Sequence, residues 1–421
     1  MKKYIIAIIS LITASGFGQD VSSQPAADSA GPFEVAGPVE TRKFISADLM
    51  KGTLHQVGTK AYNDTLGNTY KLYAEQTEFD VLTTIMLRQR IHEIYAIASL
   101  REMKKGKEFA QGIANAGKQK VEGVVGIVTN PFGTIKNVPK GASRFFGGIG
   151  ESLKGGKSEE EGSGLQSLTG VEKAKVALAA KLGVDPYSTN QELQSQLTAN
   201  ARAMAGGGLV VSGATAMVGG PAGAALSVLN VDQTLQQALV NASPSDLRIM
   251  NRKKLLALGV TRENADALLM HPWYSPWRES ITVDALAKTG VDPTAFLAQA
   301  VTAQTEDDAM YFERLALVMA NYHTKKASLQ SIQVLNGLVC ATDQNANVVV
   351  PISCDYAVWA ERPAGRVQQF ASMLAQNASG TKGLVLWVDG QVSERGLKEL
   401  KSRNIAVGTK VLDKSAAVAA Q

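Results

Sequence analysis

Histidine and cysteine are scarce in this chain, with four and two among 421 residues. That scarcity removes the usual metal and nucleophile constellations. His92-Glu93 has no second histidine three residues on, so the zinc-protease helix is absent. No Gly-x-Ser-x-Gly elbow occurs, which removes the signature of an α/β-hydrolase nucleophile. Gly150 to Ser158 resembles a phosphate-binding loop but carries Glu151 where the motif needs its first glycine. The glycines between Ala205 and Gly223 follow no strand, so a dinucleotide fingerprint is unsupported as well. No cofactor and no metal are expected.

Charge is missing altogether from Ala203 to Val231, a stretch with seven glycines and with Pro221 past its centre. Each arm is shorter than the roughly twenty residues a spanning helix needs. A buried hairpin of close-packed helices is therefore favoured there over a membrane-inserting one.

What the chain does have begins with an address. Lys2 and Lys3 precede an apolar run from Tyr4 to Ala14, and small residues then lead to Gln19 and Asp20. That order is the order of a secretory signal peptide over residues 1–18. No cysteine stands at the junction to carry a lipid, so the expectation is an exported, periplasmic protein. In an oxidising compartment Cys340 and Cys354 form a disulfide candidate. A turn centred on Asn345 would nevertheless set Cys340 opposite Val350, so a bridge needs a longer loop or a bulge.

Hydrophobic residues make up 45% of the chain and charged ones 19%, enough apolar material for real cores. The formal charge of +5 is unevenly spread. From Arg101 to Lys157 eleven Lys or Arg stand against four Glu, a local +7. Within this stretch Lys104, Lys105, Lys107, Lys136, Lys140 and Arg144 are interleaved with glycines and with Phe132, Phe145 and Phe146. Apolar side chains that enter an acyl boundary beside cations that meet lipid phosphates make an interfacial segment. The competing reading is a loop-rich segment packed on the helices by its own apolar residues. Nucleic acid is not an expected partner, because an exported chain seldom meets it.

The architecture reads as α+β: a mainly helical core with an N-terminal β-hairpin and a small C-terminal α/β domain. Residues 19–40 form a flexible lead-in, and 41–154 hold the hairpin, a long helix and the basic Gly-rich segment. The hairpin turns near Asp64, with Tyr70, Leu72 and Ala74 on one face. In the helix, Leu87, Ile91, Ile94 and Ala98 recur at helical spacing, with His92 on another face. A linker at 155–169 precedes a helical domain at 170–330. There Gly183, Gly259 and Gly290 each suit a left-handed helix end, and Asp185, Thr261 and Asp292 offer caps to the next helix. The aromatic turn His271–Trp277 reads as a pin between helices, and Glu306, Asp307 and Asp308 read as carboxylates favoured at a helix start. Residues 331–412 give strands turning at Asp343–Asn347, then a strand at Gly383–Val388, a helix capped by Ser393 and a last strand near Ile405. Residues 413–421 are a tail.

The functional expectation is an exported, non-enzymatic protein that associates with an anionic membrane surface or an envelope protein through the basic Gly/aromatic segment. A membrane-inserting hairpin is the first alternative. A hydrolase-like site at Asp355 and Asp389, both at strand ends, is the second.

Overall fold

The computed structural model describes residues 31–75, 77–103, 170–206, 232–376 and 380–413. The 1–18 leader, the 155–169 linker and every residue of the basic segment from Lys104 to Phe146 lie outside the described residues. So does the uncharged stretch beyond Gly206. The fold combines helices with sheets, as an α+β chain should.

The N-terminal sheet is built from β1 (Gly37–Glu40), β2 (Gln56–Val57), β3 (Lys60–Asn63), β4 (Asn68–Ala74) and β5 (Thr77–Leu82). Its order is β1-β3-β4-β2, with β5 also on β4. The expected hairpin is β3–β4, in which Asn63 pairs with Asn68. Asp64 closes the turn by accepting from the Leu66 and Gly67 amides. Alternation buries Tyr70, Leu72 and Ala74 on one face, as expected. Of the lead-in, residues 31–40 are described and residues 19–30 lie outside the described residues. Its last residues form β1, and Glu34 accepts from the Trp359 amide and from Ser393 Oγ. Those two donors tie Glu34 to the C-terminal part of the chain.

A short helix α1 (Ala47–Met50) precedes the long α2 (Thr84–Met103). Leu87, Ile91 and Ile94 pack on the N-terminal sheet. Ala96, Ile97 and Leu100 face α3 (Gly170–Leu182) and α4 (Gln191–Ala205) instead. The helix is thus enclosed on more than one side. His92, on another face of the helix than that apolar stripe, is only 6% exposed.

The helical part continues with α5 (Gln233–Asn241), α6 (Pro244–Ala257), α7 (Arg262–Leu269), α8 (Pro276–Thr289), α9 (Thr294–Ala300) and α10 (Glu306–Lys325). Gly183, Gly259 and Gly290 all hold positive φ, the conformation that the helix-stop reading requires. Thr261 caps α7 as expected. Asp185 does not cap α4, because Asn190 takes that place. The aromatic turn pins helices: the Tyr274 hydroxyl donates to the Ala300 carbonyl at 3.0 Å, and Trp277 Nε1 donates to the Leu239 carbonyl at 2.9 Å.

The second five-stranded sheet comprises β6 (Leu329–Leu335), β7 (Leu338–Asp343), β8 (Asn347–Ile352), β10 (Gly383–Val388) and β12 (Ala406–Gly408). Its order is β12-β10-β8-β7-β6, and β8, β10 and β12 run parallel. Strands β9 (Tyr356–Ala357) and β11 (Gln391–Val392) form a small parallel pair. Val348, Val350, Leu384 and Leu386 pack with Phe370 of α11 (Glu361–Gln376) and Leu400 of α12 (Glu394–Ser402). Val349 and Val385, one residue out of phase, join the helical core on the opposite face. There Trp387 meets Tyr322 of α10 edge-on at 5.2 Å. Each such side chain removed from water contributes roughly 1.5–3 kcal/mol. Cys340 and Cys354 are both free thiols, so the disulfide expectation does not hold in this structure. The β7–β8 register explains the separation. Ala341 pairs with Val349, which sets Cys340 against Val350 and leaves Cys354 past the end of β8.

Candidate functional site

The carboxyl ends of parallel strands in an open α/β sheet are the usual place for ligands, because the connections diverge there and leave a crevice. Here β8 runs out into Ser353, Cys354 and Asp355, and β10 into Asp389 and Gly390. The two loops cross so closely that a Cβ on Gly390 would overlap the Cys354 carbonyl oxygen. Only glycine fits that crossing.

Both carboxylates expected at these strand ends come to this edge, and both are tied down. Asp355 Oδ2 accepts the Asn68 amide and Oδ1 the Thr84 amide, each at 2.8 Å. One side chain therefore fastens the start of β4 and the start of α2 to the C-terminal sheet. Burial pushes its carboxyl up to about 6, against the pull of those two amides. Asp389 Oδ1 accepts the Cys354 amide at 2.9 Å. Its Oδ2 accepts Ser353 Oγ and Arg314 Nε, each at 3.0 Å. Cys354 lies between the two carboxylates, where burial above all, and then their charge, raise its thiol well above the ordinary value. A thiol so held stays protonated and unreactive. The arrangement is a pair of clasps.

Beside the clasps lies a cavity of about 300 Å³. Its walls come from the β3–β4 turn, the first turns of α10, the sheet around Leu338, Val350 and Leu386, and the inner face of α11. The lining is mainly apolar, and Arg362 and Arg366 of α11 and Arg314 of α10 are its cations. The sequence signal for α11 lies in Ala364, Val367, Phe370, Ala371 and Leu374, which recur at helical spacing. Sequence reasoning missed both this helix and the cavity it closes.

A second polar constellation lies where α2, α8, α10 and the 185–190 loop meet. Arg90 donates to Glu93 at 2.7 Å and to Glu306 at 2.9 Å. Arg278 donates to Glu313 at 3.0 Å and stands 3.8 Å from Glu306. Ser188 and Asn190 donate to Glu93, and Thr189 donates to Glu306. Although burial opposes it, Arg90 and Arg278 hold the Glu306 carboxyl down at about 2. These contacts lock α2, α8, α10 and the 185–190 loop together.

Asp307 is the exception. It borders the cavity, and its Oδ1 is buried with no hydrogen-bond partner. Burial, and then the neighbouring Glu306, push its carboxyl up to about 6 from 3.8. Its folded value lies above its unfolded one, so the fold holds a proton that the unfolded chain gives up. That contribution is complete below pH ~4 and is lost as pH rises through ~6. Glu306 behaves oppositely: it stabilises above its unfolded value of 4.5, and that stability is lost as pH falls towards 2. Asp307→Asn should flatten the decline between pH ~4 and ~6 and gain on the order of 1 kcal/mol at pH 7. Urea denaturation across that range checks this, and an unchanged profile would contradict it.

His55 and His323 have structural partners, whereas His92 Nδ1 is buried without one among the described residues. His55 lies within 3.0 Å of the Leu49 carbonyl and 3.1 Å of the Tyr95 hydroxyl, and His323 accepts the Leu329 amide. Among the described residues no group of three or more His, Cys, Asp or Glu is placed to hold a metal ion. The residues expected to contact a membrane or partner, Lys104 to Phe146, lie outside the described residues. Comparison with protein-family models, with curated proteins and with solved structures finds no match.

Proposed function

We propose that this chain is an exported, non-enzymatic protein that associates with an anionic membrane surface or an envelope protein. A helical core would carry an N-terminal β unit and a small C-terminal α/β unit as its scaffold. The observation that carries the reading is the coincidence of a local +7 charge with glycines and with Phe132, Phe145 and Phe146 between Arg101 and Lys157. Two features of the described residues support it. The carboxylates best placed for acid–base chemistry, Asp355 and Asp389, are engaged as clasps. The exposed side of α6 also sets Ile249, Met250 and Leu256 around Lys253, a mixed apolar and basic face of the kind that lies on a membrane. No helix among the described residues is long and apolar enough to cross a membrane.

Charge reversal at Lys136, Lys140 and Arg144 together should abolish sedimentation of the protein with anionic vesicles. Each cation near such a surface is worth about 1 kcal/mol, so reversal of three weakens binding by about a thousandfold or more, on the order of 4–6 kcal/mol. Unchanged vesicle binding by the folded triple variant would overturn the reading.

A further inference from the structure

The cavity at the carboxyl end of β8 supports an inference that goes beyond surface association. Leu338, Val350 and Leu386 give it an apolar floor, and Val367 and Phe370 give it an apolar roof. Arg362 and Arg366 sit one helical turn apart on α11 and reach its lining from the same helix face. Among the described residues no carboxylate lies within ion-pair distance of either. The remaining charged groups of the lining stand on other elements, and all but Asp307, whose Oδ1 is buried without a partner among the described residues, are engaged. Arg314 is held by Asp389, Asp355 by two backbone amides, and Asp308 by the Gln304 amide. Asp64 is taken up in its own turn. An apolar interior of this size, with two spare guanidinium groups in its lining, matches an amphiphile with an anionic head.

We infer that the cavity binds a medium-chain carboxylate, its alkyl chain between the sheet and α11 and its head on Arg362 and Arg366. A volume of about 300 Å³ is at the lower end of small-molecule sites, which favours a medium chain over a long one. A planar carboxylate is the head that a guanidinium fork receives in two parallel hydrogen bonds.

The test is equilibrium binding of decanoate to the full chain, with decanol, palmitate and acetate as comparisons. Decanoate should bind saturably at one site, about tenfold more tightly than decanol, and acetate should not bind. The double variant Arg362→Glu, Arg366→Glu should weaken decanoate about tenfold and leave decanol unchanged. The Lys136, Lys140 and Arg144 charge reversal should leave decanoate binding intact, so failure of the surface reading and failure of this one are distinguishable. Absence of saturable decanoate binding would overturn the inference, and so would equal affinity for decanol, a comparison that needs no variant. Tighter binding of palmitate would overturn the choice of a medium chain. A dimer that buries this face and excludes decanoate would give the cavity to a second copy of the chain and overturn the inference as well.

Discussion

Arg90→Met lowers the stability of the fold by about 3–5 kcal/mol, the cost of breaking a buried ion pair from one side. Arg90 is 8% exposed, and its guanidinium bridges Glu93 and Glu306. Methionine keeps much of the stem and removes the charge. Glu93 then retains only neutral donors from Ser188, Asn190 and Gln89. Glu306 retains Thr189, Gln89 and the more distant Arg278. Two carboxylates close together in a low-dielectric site then face each other with one cation fewer. Against a usual total of about 5–15 kcal/mol, that loss is a large share of the stability. Urea denaturation of the variant measures it. Adding Glu306→Gln to Arg90→Met should recover part of it, because the second change removes a stranded charge. A loss below about 1 kcal/mol, or no recovery in the double variant, would mean that water or counter-ions reach the cluster.

Asp389→Ala is the second large effect, again about 3–5 kcal/mol. Three acceptor contacts disappear at once, from the Cys354 amide, Ser353 Oγ and Arg314 Nε. The Arg314 side chain, 13% exposed, is left without its carboxylate. The crossing of the β8 and β10 loops loses its tie beside Gly390. Cys354, half-buried and held protonated in the intact fold, should then react faster with a thiol reagent. Denaturation and labelling report on the same opening. An unchanged labelling rate with a full loss of stability would place the damage at Arg314 rather than in the loop.

These two sites differ in how far the sequence disclosed them. The strand ends that carry Asp355 and Asp389 were legible, because the apolar runs Val348-Val349-Val350 and Gly383–Val388 and the Asp343–Asn347 turn mark β8 and β10 in the sequence. The clasping role was not legible. The amides that Asp355 receives belong to Asn68 and Thr84, more than 270 positions away in the chain. The Arg90 lock was hidden for the same reason. Glu306, Asp307 and Asp308 at a helix start are sufficiently explained by the helix dipole, and no local pattern announces that Arg90 arrives from 216 residues away. His92 shows the limit of a single hydrophobic stripe: α2 is covered by the N-terminal sheet and by α3 and α4 as well, so its polar side is interior too. The glycine-ended helices were legible because positive φ at Gly183, Gly259 and Gly290 is a local requirement that the residue type itself announces.

The central claim concerns where the chain resides, and fractionation of the native cells with salt and carbonate washes of the membrane pellet tests it most directly. Surface association through the basic segment predicts that the protein sediments with membranes and is released by high salt or carbonate, since screening weakens contacts of this kind. Recovery in the soluble fraction before any wash, or retention through both washes, would contradict it.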